Sequence, residues 1–235
     1  MRAIYKRELK ALFVSPVGYV FLFIIQLIAG ICTYQTLSAQ ASSYFILTYQ
    51  YIFTFSMMII PVLTMRTMSE DKKMKTDQAL LTAPVSLTGL VLGKMLAAFS
   101  VYAVSVLATI IHVLVLSAFT ADMNWAMMLG NILASLLYAL AYIAIGVFLS
   151  ALTESQVVAA FATLGVGLFL MLVDSITAMI QSAVVSKVVS WISFQSRYYE
   201  FTDGRFNLAN VLFFFSVTAI FVFLTVRVLE RRRWS

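Results

Sequence analysis

The chain has 235 residues, of which 62% are hydrophobic and 11% charged, and a net charge of +6. That charged share is under half of the roughly 25% usual in soluble domains, so the composition excludes an ordinary soluble enzyme and describes a multispanning membrane protein. The single cysteine, Cys32, permits neither an intrachain disulfide nor a thiolate cluster; basic residues placed beside apolar runs orient a protein in a bilayer and do not signal nucleic-acid binding.

Residues 1–14 read as an amphipathic interfacial helix. Tyr5, Leu9, Leu12 and Phe13 fall on one face and Arg2, Lys6, Arg7 and Lys10 on another, which suits the headgroup layer both as a topology anchor and as an elbow helix moving with a transport domain. The apolar run over residues 17–37 has the ~20 residues of a span. It exceeds the ~7–15 residues of a signal-peptide core, so an uncleaved helix is expected although Ala39-Gln40-Ala41 resembles a cleavage site. Ser15 reads as its N-cap, with Pro16 in the first turn. The second span, residues 46–65, contains Pro61 and is expected to kink there.

Residues 66–90 then form a charged, helix-prone island between apolar segments. With Lys94 it holds five of the 16 basic residues (Arg66, Lys72, Lys73, Lys75, Lys94) and three of the 10 acidic ones (Glu70, Asp71, Asp77). The pattern predicts a helix over residues 69–81 with Ser69 as cap, Glu70 and Asp71 in its first turn, and Met68, Met74, Leu80 and Leu81 as apolar contacts. Two readings follow from composition: a solvated loop whose lysines enforce topology, or a helix across the ends of two spans that transmits force. Ser86, after Pro84, restarts a helix. The run Gly89-Leu-Val-Leu-Gly93-Lys94 has three residues between its glycines where a phosphate-binding loop needs four, and no Ser/Thr after the lysine. It reads as a smooth helix-packing face, with Lys94 snorkelling to the headgroups.

Further spans are expected over residues 91–118, 126–150, 156–174 and 208–228. His112 lies in the third, where bonding to a neighbouring helix and a proton-relay role are both open. Gly146 and Ser150 in the fourth, and Ala162, Gly165 and Gly167 in the fifth, suit close packing within the bundle or across a dimer. Thr153-Glu154-Ser155 is either a helix cap or a second partner contact. Residues 175–207 read as outer re-entrant or interfacial helices and then a polar hairpin over residues 197–205, turning at Asp203-Gly204. Asn207 reads as the cap of the last span, and Arg231, Arg232, Arg233 and Trp234 as its anchor.

Six spans bring both termini to one side together with the island, and that side holds thirteen of the 16 basic residues. The positive-inside rule therefore predicts cytoplasmic termini. The spans carry almost no charge, the halves show no repeat and no hydrolase motif occurs, so neither ion coupling nor catalysis has parts to work with. Energy is expected from another chain.

Several segments in order resemble the permease subunits of ABC-2 type exporters, within them the gliding-motility-type branch. They are Arg2-Ala-Ile-Tyr-Lys-Arg-Glu-Leu-Lys10, Ser15-Pro-Val-Gly-Tyr19, Pro61-Val-Leu-Thr-Met-Arg66 with Glu70, Leu80-Leu-Thr-Ala-Pro-Val-Ser86, Leu92-Gly-Lys94 and Ser150-Ala-Leu-Thr-Glu-Ser-Gln-Val-Val-Ala159. The resemblance implies one all-α integral membrane domain over residues 1–235, in a bacterial cytoplasmic membrane. It implies a coupling helix after the second span that docks on a separate ABC-type ATP-binding subunit; ATP and Mg belong to that partner, and this chain holds no cofactor. It further implies a second permease copy, identical or related, membrane lipids as surroundings, room for an extracytoplasmic accessory protein, and hydrophobic, polymeric or lipid-linked cargo. Glu70, Asp71, Lys72, Lys73, Lys75, Asp77, Leu80, Leu81 and Glu154 are the expected ATPase contacts. Relatives read Gly-Thr and then a glutamate where this chain has Lys75-Thr76-Asp77-Gln78. The alternative is a non-transporting subunit that uses the same kind of ATPase for mechanotransmission.

Overall fold

The computed structural model describes residues 1–39, 44–76, 86–119, 124–179, 189 and 191–234. All of its regular elements are helices, as a chain in lipid requires when its backbone polar groups must be satisfied internally. Among the described residues, six helices are long and apolar enough to cross a membrane.

Helix α1 (Arg2–Val14) turns at Ser15 into α2 (Pro16–Ala39), with proline at the first position, where its missing N–H costs nothing. The Ser15 hydroxyl donates to the Leu12 carbonyl (3.2 Å) and its N–H to that of Ala11 (3.0 Å), so Ser15 closes α1 and the expected capping of α2 is corrected. Ile4, Leu9, Leu12 and Phe13 of α1 pack on the protein core.

Helix α3 (Tyr44–Thr64) runs through Pro61; the interruption comes at Met65, after which α4 (Arg66–Lys73) continues. The expected helix start at Ser69 is therefore corrected. Ser69 lies within α4 and its hydroxyl donates back to the Met65 carbonyl, because a chain already helical through the second span has no free end to cap there. Helix α4 stops at a C-terminal cap in which Thr76 N–H bonds the Asp71 carbonyl (2.9 Å) and Lys75 N–H that of Lys72 (3.1 Å), with Lys75 at φ 56°. Asp77, Leu80 and Leu81 lie outside the described residues.

Helix α5 (Leu87–Leu107) is capped by the Ser86 hydroxyl, which accepts the Gly89 N–H. The third span is not one helix: Ala108 and Thr109 interrupt it before α6 (Ile110–Phe119), and Ile111 and His112 bond three residues back. The Tyr49 hydroxyl pairs with Thr109 Oγ1 at 3.2 Å. Helix α7 (Trp125–Leu152) is capped by Asn124 and forms the centre: 72% of its most apolar window is buried, against 17% for the fifth span. The fifth span is α8 (Gln156–Met179). The expected polar hairpin is instead a helix, α9 (Phe194–Thr202), and the turn is confined to Asp203 and Gly204, where φ is +77°. Burial explains the difference: the Tyr198 hydroxyl donates to the Tyr49 carbonyl (2.9 Å) and pairs with Ser135 Oγ (2.8 Å), drawing α9 onto the bundle. Asn207 Oδ1 accepts the Ala209 N–H (3.0 Å) at the start of α10 (Leu208–Trp234), as expected of a cap. Helix α7 packs against α3, α4, α5, α8, α9 and α10.

Candidate functional site

The charged island meets the bundle at a junction of α1, α4, α5 and the end of α7. Gly93 makes the junction close-fitting, since a Cβ there would lie 3.2 Å from Ile4 Cγ2 and 3.3 Å from the Met1 carbonyl. The small-residue face of Gly89 and Gly93 thus receives α1. One residue on, Lys94 is only 2% exposed. Its Nζ pairs with Glu8 Oε1 (3.1 Å) and Asp71 Oδ2 (2.5 Å) and donates to the Thr67 carbonyl. Snorkelling is thereby corrected: with two carboxylates and a carbonyl at hand, the ammonium is better satisfied inward than in the headgroups. Arg7 joins Glu8 (2.6 Å) and Asp71 (3.6 Å). Its hydrogen bond to Glu8 raises the guanidinium pKa above the ordinary value.

A second set of contacts holds α4 from the other side. Ser150 Oγ of α7 accepts the N–H groups of Met68 (3.1 Å) and Ser69 (3.0 Å) and donates to the Met65 carbonyl (3.0 Å). It bridges the break between α3 and α4 as a cap would. Lys72 is buried and its Nζ donates to the Ala151 carbonyl.

The expected contact residues therefore divide. Asp71 and Lys72 turn inward; Lys73 and Lys75 are exposed; Glu70 pairs with Arg66 (3.1 Å) at the surface. Glu154, 67% exposed, lies in the loop joining α7 and α8, against which α4 packs, and Arg232 of α10 approaches it to 3.5 Å. Both termini thus lie at this end of the bundle. Sequence reasoning missed Arg7, Glu8 and Ser150 as partners. One signal was available: Glu8 is the sole acid before Glu70.

Elsewhere, small residues serve internal packing selectively. A Cβ on Gly146 would lie 2.3 Å from Thr64 Oγ1, and one on Gly167 2.3 Å from the Tyr142 hydroxyl, whereas Gly165 faces open space. His112 stands beside Gly30, and its buried Nδ1 has no hydrogen-bond partner among the described residues. No cluster of three or more His, Cys, Asp or Glu residues suited to a metal occurs among the described residues.

Six long apolar helices among the described residues, with basic charge gathered at one end, agree with the family comparison: the family model described as ABC-2 family transporter protein matches residues 2–234. The chain belongs to this family. Comparison with curated proteins gives no match. As an ABC-2 membrane subunit it is not catalytic, and membership implies an ABC ATPase partner. The ABC-2 protein is a multi-pass membrane component of a transporter.

Proposed function

We propose that this ABC-2 protein is the permease subunit of an ATP-driven exporter of the gliding-motility-type branch, that it works as a dimer, and that it couples to a separate ATPase through α4 and the segment following it. The observation that carries the reading is the mounting of α4. Lys94 and Asp71 tie it to α5, and Lys72 and Ser150 tie it to α7, while Lys73 and Lys75 project from its end. A push on those exposed residues acts on three spans together, because a buried ion pair and multiple hydrogen bonds resist independent movement.

In this reading Lys73, Lys75, Glu70 and Glu154 contact the ATPase, with Asp77, Leu80 and Leu81 continuing the surface. Asp71 and Lys72 transmit force within the permease. Helix α1 is the elbow, the end bearing α1 and α4 is cytoplasmic, as the basic-residue count favours, and α9 belongs to the outer re-entrant segment. ATP-driven closure of the ATPase pair displaces α4 and opens or closes a path at the dimer interface.

The test is the double charge reversal Lys73→Glu/Lys75→Glu in the assembled complex. Insertion and melting temperature are expected to hold while transport-coupled ATPase activity falls about tenfold, the equivalent of roughly 1.4 kcal/mol of contact energy. Unchanged coupling would remove α4 as the docking element. Full coupling without cargo movement after reconstitution would favour mechanotransmission instead.

A further inference from the structure

Two cavities share Leu63 in their linings, and the first carries charged groups that the second lacks. The first, of about 270 Å³, is lined by Glu8, Ser15, Arg66, Glu70 and Lys94 together with apolar atoms of α1 and α3. The second, of about 230 Å³, is an apolar groove between α2 and α3, bounded by Val17, Val20, Ile24, Met58, Ile59 and Val62. The first cavity sits at the adjoining ends of both spans: Ser15 precedes the first residue of α2, and Arg66 follows the end of α3. A cavity bearing charged groups at the span ends, beside an apolar groove running along the spans, has the polarity of a phospholipid. We propose that this pair of cavities is a binding site for a phospholipid with a zwitterionic, primary-amine headgroup, of the phosphatidylethanolamine class.

The headgroup assignment comes from charge and hydrogen-bond bookkeeping. The polar lining holds two cations and two carboxylates, and the adjoining Arg7 and Asp71 add one of each. A net-neutral chamber gives an anionic headgroup no electrostatic advantage, unlike the basic clusters that collect anionic lipids. Lys94 donates to Glu8 and to the Thr67 carbonyl and forms an ion pair with Asp71, so it sets the local charge and its ammonium is engaged within the protein. Among the described residues Arg66 uses Nε on Glu70 Oε2 and keeps its terminal nitrogens for a phosphate. Likewise among the described residues, Glu8 is engaged through Oε1 and Glu70 through Oε2, which leaves one oxygen of each for an ammonium group. A choline headgroup has no N–H to give those oxygens. The 270 Å³ chamber is smaller than the roughly 300–1,000 Å³ of ordinary small-molecule pockets, so it takes a headgroup while the groove takes an acyl chain.

The site shares Glu70 with the proposed docking surface, so it is tested on the subunit alone, where lipid binding is read without the ATPase. It is tested by native mass spectrometry of the full-length protein in mild detergent, with equimolar dioleoyl phosphatidylethanolamine, phosphatidylcholine and phosphatidylglycerol in competition. Phosphatidylethanolamine is expected to bind about tenfold better than either of the others, the worth of one charge-assisted hydrogen-bond set. Glu70→Gln, which removes one of the two carboxylate charges, should reduce the preference over phosphatidylcholine several-fold, and Val62→Trp, at an exposed groove position, should weaken all three lipids. Thermal melting of both variants verifies that they remain folded, and Val20→Trp replaces Val62→Trp should the latter fail. Equal or better binding of phosphatidylglycerol, a preference undiminished in Glu70→Gln, or binding indifferent to a blocked groove would overturn the assignment.

Discussion

Lys94 carries a positive charge into the protein, and only complete pairing makes that tolerable. Removing one member of a buried ion pair strands its partners, at a cost of about 3–5 kcal/mol. Lys94→Met is therefore expected to lower the melting temperature of the purified protein sharply, and Lys94→Met/Asp71→Asn to recover part of the loss by relieving the stranded carboxylate. Snorkelling was a reasonable expectation for a lysine at the edge of a span. It fails because Glu8, 86 residues distant in sequence, is brought beside it by the packing of α1 on α5. Lys75 is the converse case, since its φ of 56° is one that a residue bearing a Cβ adopts at a cost. A glycine would adopt this conformation without that cost. Lys75→Gly should stabilise the cap by about 1 kcal/mol, read as slower hydrogen exchange of the Met74 and Thr76 amides.

Pro61 shows at the level of the helix why a proline in a span need not sever it. Its missing N–H frees the Met57 carbonyl, and the Tyr142 hydroxyl of α7 reaches that carbonyl at 3.1 Å and the Thr163 carbonyl of α8 at 2.8 Å. One side chain thus joins three helices at the position where the backbone ladder is open. Tyr142→Phe should cost roughly 1–3 kcal/mol by leaving a buried carbonyl unpaired. Combined with Pro61→Ala, which restores the backbone donor, the loss should be less than additive in thermal melting. Gly167 makes room for the same hydroxyl. Gly167→Ala is expected to destabilise by about 1–3 kcal/mol through overpacking, while Gly165→Ala, facing open space, should be near neutral. The pattern of small residues was visible in the sequence, but which of them face a neighbour depends on helix rotation, which sequence spacing leaves undetermined.

Across the whole molecule, the junction of α1, α4, α5 and α7 separates residues that hold the fold from residues available to a partner. Asp71→Lys would disrupt the Lys94 pairing and is expected to lower the melting temperature by more than about 6 °C. Lys73→Glu/Lys75→Glu should melt like the unaltered protein. A charge reversal at Asp71 therefore tests folding before it tests docking, although both acids of the predicted first turn looked alike in sequence.

Sequence alone determined the six apolar spans, the helical class, the caps at Ser86 and Asn207 and the concentration of basic residues at one end. Those properties depend on composition and local pattern, which lipid and helix geometry constrain directly. Tertiary structure decided the inward turn of Lys94, Asp71 and Lys72, the trans-acting roles of Ser150 and Tyr142, the interruption at Ala108 and Thr109, and the helical state of residues 194–202. Each of these arises from a contact between segments far apart in the chain, where burial and unpaired hydrogen-bonding groups outweigh local preference.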